Sequence, residues 1–228
     1  MTRFIDRFEA IVFDLNGTLA EGFDRFGVGE DYHATYRALG GTCLSPEEVT
    51  AAVEQSLDRC LDRYRQGPWE PFPAYAEFLP GEFTHESELI EDTVAAHELG
   101  VVPAGRLEWL RTLADSHRLG LLSDLWAPPR RARAFLADSG MTNLFRSIVL
   151  SCEHGAVKPG PRLFLTALEE LGTRPEDALF VGDNYQRDIE GAAACGLATV
   201  WVCADGATAD HSAPDRIVDR VERLSEVG

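Results

Sequence analysis

Lysine is nearly absent from this sequence: Lys158 stands alone among 228 residues, and every other Lys/Arg position is arginine. Any step that needs an amine therefore has a single candidate. Positive charge as a whole is scarce, with 21 Lys+Arg against 38 Asp+Glu and a formal net charge of −17. A surface of that sign repels nucleic-acid phosphates and anionic lipid, so nucleic-acid binding is set aside as a function class. Long apolar runs are missing too. No segment approaches the ~18 apolar residues that span a bilayer, and the first residues, MTRFIDR, hold no apolar signal core. Neither membrane insertion nor export is expected, and the chain reads as cytoplasmic. The cysteines, Cys43, Cys60, Cys152, Cys195 and Cys203, are odd in number and never spaced C-x-x-C. They read as reduced thiols in or near the core, not as a disulfide frame or zinc site.

What is present has the balance of an ordinary globular protein, 45% hydrophobic and 26% charged. The length suffices for one large domain with an insertion, or for two small ones. The first signal is Ile11-Val12-Phe13-Asp14, an apolar run that ends in a carboxylate and a glycine turn. It reads as a buried strand delivering Asp14 to its C-terminal end. Residues 20–103 then look helical. Ser45-Pro46-Glu47-Glu48 predicts a capped helix start, followed by Val49, Val53, Leu57, Cys60, Leu61 and Tyr64 at helical spacing, with Gly67-Pro68 as the stop. A second helix is expected over 86–99. From Arg106 onward helices alternate with strands at 119–122, 147–151, 178–181 and 199–202, and a last helix is expected over 218–224. Such alternation predicts an α/β fold with a parallel sheet covered on both faces.

Asp14, Ser123, Lys158 and Asp183 each fall at, or shortly past, the end of a predicted strand. In a parallel sheet those ends share one edge, so residues distant in sequence converge on one crevice. Singly, each has a plainer reading as a cap or turn residue. Together they present what one chemistry needs. Asp14, Asp183 and Asp188 in one cleft would repel unless a cation sat among them, and carboxylate oxygens without convergent His or Cys favour Mg²⁺. A phosphoryl group there would take positive charge from Mg²⁺ and Lys158, and hydrogen bonds from Ser123 and the N–H groups after Asp14. Asp14 is then placed to attack phosphorus.

These residues resemble the four motifs of the haloacid dehalogenase (HAD) superfamily. They stand here as Asp14-Leu15-Asn16-Gly17-Thr18, Leu121-Leu122-Ser123-Asp124, Lys158-Pro159 and Gly182-Asp183 with Asp188. The resemblance implies a Rossmann-like core, residues 1–19 and 104–228, with a helical cap inserted at 20–103. It implies a hydrolase acting on a small phosphorylated substrate through an aspartyl phosphate, as a monomer or homodimer. Asp14 would be the nucleophile; Asp14, the Asn16 carbonyl, Asp183 and Asp188 would surround Mg²⁺; Asn16, Gly17, Thr18, Ser123, Asp124 and Lys158 would meet the substrate.

Asn16 departs from the pattern, because the family's phosphatases carry a second carboxylate there to protonate the leaving group. An amide cannot trade that proton. Two other readings follow from it: an impaired protein that only binds metal and phosphate, and a metal-independent 2-haloacid dehalogenase. The acid at Asp183 speaks against the dehalogenase, and the lack of a lysine in 20–103 excludes a Schiff-base phosphonate hydrolase. Trp69, Phe72, Tyr75 and Phe78 read as packing aromatics, His33, His85 and His97 as structural or exposed. Asp24, Arg25 and Phe26 read as solvated loop residues where a flap would lie.

Overall fold

The computed structural model describes residues 3–204 and 214–227; the start of the expected tail, 205–213, lies outside the described residues. Six strands form one sheet: β1 Ala10–Phe13, β2 Arg118–Ser123, β3 Ser147–Leu150, β4 Ala178–Gly182, β5 Ala198–Val202 and β6 Arg216–Val218. The helices are α1 Tyr32–Ala38, α2 Pro46–Gln66, α3 Ser87–Glu98, α4 Ala104–Ala114, α5 Pro129–Asp138, α6 Ser151–His154, α7 Pro161–Leu171 and α8 Gly191–Ala194.

Every neighbouring strand pair is parallel, in the order β3-β2-β1-β4-β5-β6. The β1 and β4 strands are buried at every position, which is why they read as continuous apolar runs. Side chains nevertheless alternate between two cores. Ile11 and Phe13 join Leu119, Leu121 and Leu179 against Leu110, Leu113 and Leu136, whereas Ala10 and Val12 join Phe180 against Leu163, Phe164 and Leu168. Both faces are therefore covered by helices, as the alternation predicts, in the Rossmann-like arrangement that the resemblance implies. The chain runs outward from β1 through β2 to β3, then returns to β4 and runs the other way. The switch between β1 and β4 opens a crevice at the C-terminal strand ends, where open α/β sheets bind ligands.

Residues between β1 and α4 build their own apolar cluster from Tyr32, Tyr36, Val49, Val53, Cys60, Phe72, Tyr75, Phe78, Ile90 and Val94. The cap at the start of α2 is present: Ser45 Oγ accepts the Glu48 N–H at 3.3 Å, and Glu48 accepts the Ser45 N–H at 2.8 Å. That reciprocal pair satisfies two donors a helix start otherwise leaves free. The entry and exit of the segment are stitched by Glu21 and Val101, whose N–H and carbonyl groups exchange bonds of 2.9 and 2.8 Å. Among the described residues no helix is long and apolar enough to cross a membrane.

Four expectations change. The stretch 218–224 is not one helix: Val218 ends β6, whose pairing with β5 is continued by Cys203 N–H to Val218 O at 2.8 Å, and a 3-10 turn follows at Val221–Glu226. The edge of the sheet offered backbone partners that an isolated apolar period does not reveal. The helix that the alternation places between the strands at 178–181 and 199–202 splits into a π-helical turn, Tyr185–Glu190, and the short α8. Of the cysteines Cys60 is buried and Cys43 is exposed, so Cys43 is outside the core; Trp69 likewise is exposed at 40% while Phe72, Tyr75 and Phe78 are buried.

Candidate active site

Asp14 continues β1 by one residue, its N–H bonding Val181 O at 3.0 Å, so the sheet fixes its backbone. Its Oδ1 accepts Ser123 Oγ at 3.1 Å from the end of β2 and Lys158 Nζ at 2.6 Å. Its Oδ2 takes no hydrogen bond among the described residues. Lys158 is 2% exposed and lies 2.7 Å from Asp188 Oδ1, with Leu122 O at 3.5 Å. Two hydrogen bonds, to Asp14 Oδ1 and Leu122 O, and the ion pair with Asp188 thus hold the ammonium, while Asp188 Oδ1 itself takes no hydrogen bond among the described residues. Burial alone would lower the Lys158 pKa, but Asp14 and Asp188 outweigh it and hold the ammonium above its usual range. Burial raises the Asp14 carboxyl in turn, and Lys158 pulls it back.

Asp183 follows Gly182 at the end of β4, across the switch point from Asp14. Its Oδ1 is buried with no hydrogen-bond partner. Burial first, then Asp14 and Asp188, push its pKa up to about 7. Asp188, on the π-helical turn, holds the Asn184 N–H at 2.9 Å through Oδ2. One oxygen from each of Asp14, Asp183 and Asp188 lies within 4.8 Å of the others. Three hard oxygen donors around an unpartnered carboxylate oxygen suit a small divalent cation. The backbone makes room for this set: Gly17, at φ +83°, passes so close that a Cβ would stand 2.2 Å from Asp183 Oδ2.

Asn16 turns toward the helical segment. Its Nδ2 donates to Glu98 O at 3.3 Å, and its buried Oδ1 has no partner. After it the loop closes on itself, with Thr18, Leu19 and Ala20 N–H groups all bonding Leu15 O. The N–H groups of Leu15 and Asn16 take no acceptor among the described residues. Gly17 and Thr18 line a neighbouring cavity shared with Asp183, whereas Asn16, Ser123, Asp124 and Lys158 line the cleft that holds Asp14.

The structure also brings in residues that the motifs did not single out. Glu98, at the end of α3, is 2% exposed and accepts the Trp126 and Ala127 N–H groups at 2.7 Å each. Burial outweighs those donors and raises its pKa to about 8. Tyr64, from the last turns of α2, donates to Asp124 Oδ2 at 3.2 Å and to Lys158 O. Asp124 Oδ1 accepts the Lys158 N–H at 3.1 Å, so Asp124 braces the lysine loop; burial lifts its pKa to about 6. Arg187 lines the cleft with its guanidinium near the Tyr64 ring, 5.9 Å from the centroid. Asp24 is exposed, as expected of a solvated loop residue, and it also lines the cleft. Arg187 was legible in part, since it sits inside the fourth motif, and Asp24 in part, since it lies where a flap would be; Glu98 and Tyr64 carried no signal of a place at the site. Of the histidines, His97 is structural: it is buried, between Thr35 Oγ1 at 2.9 Å and Arg25 O at 3.1 Å.

Comparison with known proteins bears on the family and the fold. A family model described as haloacid dehalogenase-like hydrolase matches residues 8–196. The chain is similar to the N-acylneuraminate-9-phosphatase of Mus musculus, 38% identical over 232 residues that cover 92% of this chain and 88% of that one. It is also similar to the phosphoserine phosphatase of Thermus thermophilus, 41% identical over 92 residues, 40% of this chain. That match spans only 37% of the relative's length. Among solved structures, a HAD phosphatase from Thermococcus onnurineus aligns with a TM-score of 0.64 over 96% of both chains, at 24% identity, a likeness of fold alone.

Proposed function

We propose, for a chain that belongs to the haloacid dehalogenase-like hydrolase family, that it is a Mg²⁺-dependent phosphohydrolase acting on a small phosphorylated metabolite through an aspartyl phosphate on Asp14. The observation that carries this reading is the asymmetry of the Asp14 carboxylate. Oδ1 is held by Ser123 and Lys158, and Oδ2 is left without a partner at the switch crevice. An ionised carboxylate with one oxygen pinned and one free is a positioned nucleophile.

Asp14, Asp183, Asp188 and the Asn16 carbonyl would hold the metal. Bound there, Mg²⁺ supplies charge compensation for phosphoryl oxygens. The chain's own groups do the rest. The Leu15 and Asn16 N–H groups donate to the phosphoryl oxygens, Ser123 turns its one O–H from Asp14 Oδ1 to a phosphoryl oxygen as substrate enters, and Lys158 stays on Oδ1 and balances the negative charge as Asp14 attacks. Segment 20–103 acts as the cap: Tyr64 and Glu98 tie it to the Lys158 and Trp126 loops, closing the cleft around the phosphoryl group. Asn16 cannot protonate the departing oxygen. General acid catalysis contributes ~10²–10⁴-fold, so an alkyl phosphate would lose about 3–5 kcal/mol of barrier lowering unless another donor is present. Acyl phosphates would lose less. The net charge of −17 does not forbid an anionic substrate, since exposed charges are screened beyond about 8 Å.

Phosphate release from p-nitrophenyl phosphate and acetyl phosphate, with Mg²⁺ and with EDTA, tests the reading, and N-acylneuraminate 9-phosphate is the natural third compound given the mouse relative. Turnover is expected with Mg²⁺ only, and Asp14→Asn is expected to abolish it. Halide release from a 2-haloacid in EDTA would replace this reading with a dehalogenase; absence of any phosphate release would favour a binding protein.

A further inference from the structure

Five acidic residues line the cleft: Asp14, Asp24, Glu98, Asp124 and Asp183. Four are committed. Asp14 faces Ser123 and Lys158, and Asp183 belongs to the acidic trio. Both Glu98 oxygens hold backbone N–H groups, and both Asp124 oxygens hold donors from Lys158 and Tyr64. Asp24 is the remaining one, and its carboxylate has no hydrogen bond or ion pair among the described residues.

Its placement is built rather than incidental. The Asp24 N–H donates to Glu98 O at 3.1 Å, the same carbonyl oxygen that accepts Asn16 Nδ2 at 3.3 Å. One acceptor thus gathers the backbone of Asp24 and the side chain at the very position where the second carboxylate is missing. The next residue is tied as well, Arg25 N–H to His97 O at 2.9 Å, so the loop is fixed on both sides of the carbonyl. Asp24 itself has φ +49°, the left-handed region, and is the one non-glycine residue there among the described residues. A non-glycine side chain held in that region costs energy that the surroundings must offset.

We propose that Asp24 is the general acid and base of this phosphohydrolase, supplying from the cap-entry loop the proton that Asn16 cannot. The inference rests on the phosphatase reading above. In the first half-reaction the Asp14 Oδ2–phosphorus bond forms, the bond from phosphorus to the leaving oxygen breaks, and the Asp24 carboxyl proton passes to that oxygen. In the second, water oxygen bonds phosphorus and the Asp14–phosphorus bond breaks. The water proton returns to Asp24, which restores both side chains and releases orthophosphate. Asp24 is exposed to solvent, yet desolvation by the surrounding cleft raises its pKa, with Arg187 opposing and Asp14 adding to the rise. The other charged groups around the cleft are Lys158, Glu98, Asp124 and Asp183.

The test uses the full chain with Mg²⁺ and compares kcat/KM for glycerol 2-phosphate, whose alkoxide leaves poorly, with acetyl phosphate, whose carboxylate leaves unassisted. Because kcat/KM reports the steps up to the first loss of product, it isolates the protonation of the leaving group. Asp24→Asn is expected to lower the glycerol phosphate value ~10²–10⁴-fold and the acetyl phosphate value less than about tenfold. Asn16→Asp placed on top of Asp24→Asn is expected to recover most of the loss. A loss equal for both substrates, or a rise in KM alone, would overturn the role of Asp24 while leaving the phosphatase reading intact. No hydrolysis of either compound by the unaltered protein would overturn both.

Discussion

Gly17→Ala puts the geometry of the acidic trio to a direct test. A Cβ at position 17 would stand 2.2 Å from Asp183 Oδ2 and 2.4 Å from its Cγ, distances no real contact tolerates. Asp183 would have to retreat by about 1 Å, and a misplacement of that size costs ~10²-fold in rate, or about 3 kcal/mol of barrier. The substitution also pays for holding alanine at φ +83°, roughly 1–2 kcal/mol of stability. Gly22 separates the two effects. It has φ +64° and nothing within 4 Å of its would-be Cβ, so Gly22→Ala carries the backbone strain without the collision. Urea unfolding is expected to show similar losses for both variants. Only Gly17→Ala should weaken the Mg²⁺ dependence of phosphate release and lower kcat/KM by about two decades. If Gly17→Ala matches Gly22→Ala in rate and in its response to Mg²⁺, Asp183 is not part of the reacting centre and the metal assignment fails.

Two further outcomes follow from the groups that join the helical segment to the sheet. The Glu98 pKa is raised from 4.5 to about 8, so between those values the unfolded chain releases a proton that the folded one keeps. Its contribution then falls by about 1.4 kcal/mol per pH unit across that window and is constant below it. Glu98→Gln removes the slope and one N–H acceptor, so urea unfolding at pH 5 to 8 should find the variant less stable at pH 5 and the gap shrinking by pH 8. Parallel curves would show Glu98 to be ionised throughout. Tyr64→Phe leaves Asp124 Oδ2 and Lys158 O without their shared donor. A loss of about 1–3 kcal/mol is expected in the same assay.

Much of this molecule is local in origin. The run Ile11 to Phe13 had to be buried on both faces, and Asp14 after it had to surface at a strand end, because apolar continuity and alternation with helices leave a parallel sheet as the consistent solution. Asp14, Ser123, Lys158 and Asp183 were legible as a group for the same reason: each lies at, or a few residues past, the end of a predicted strand. The absence of lysine elsewhere left Lys158 as the one available amine. The helix start at Ser45 was readable from its cap alone.

The fate of residues without local periodicity was decided by the tertiary structure. That Val218 would pair with β5 instead of starting a helix depended on an edge strand whose free backbone groups exist only once the sheet is assembled. Glu98 and Asp24 reached the cleft, and Tyr64 the Asp124 and Lys158 groups beside it, because the helical segment folds back over the strand ends, and no spacing in the sequence encodes that return. Asn16 shows the division most clearly. Its identity was plain from the start and said what it could not do, transfer a proton. Where its amide points, onto the Glu98 carbonyl that also anchors Asp24, is set by a contact across 82 positions of chain, and long-range packing alone brings those groups together.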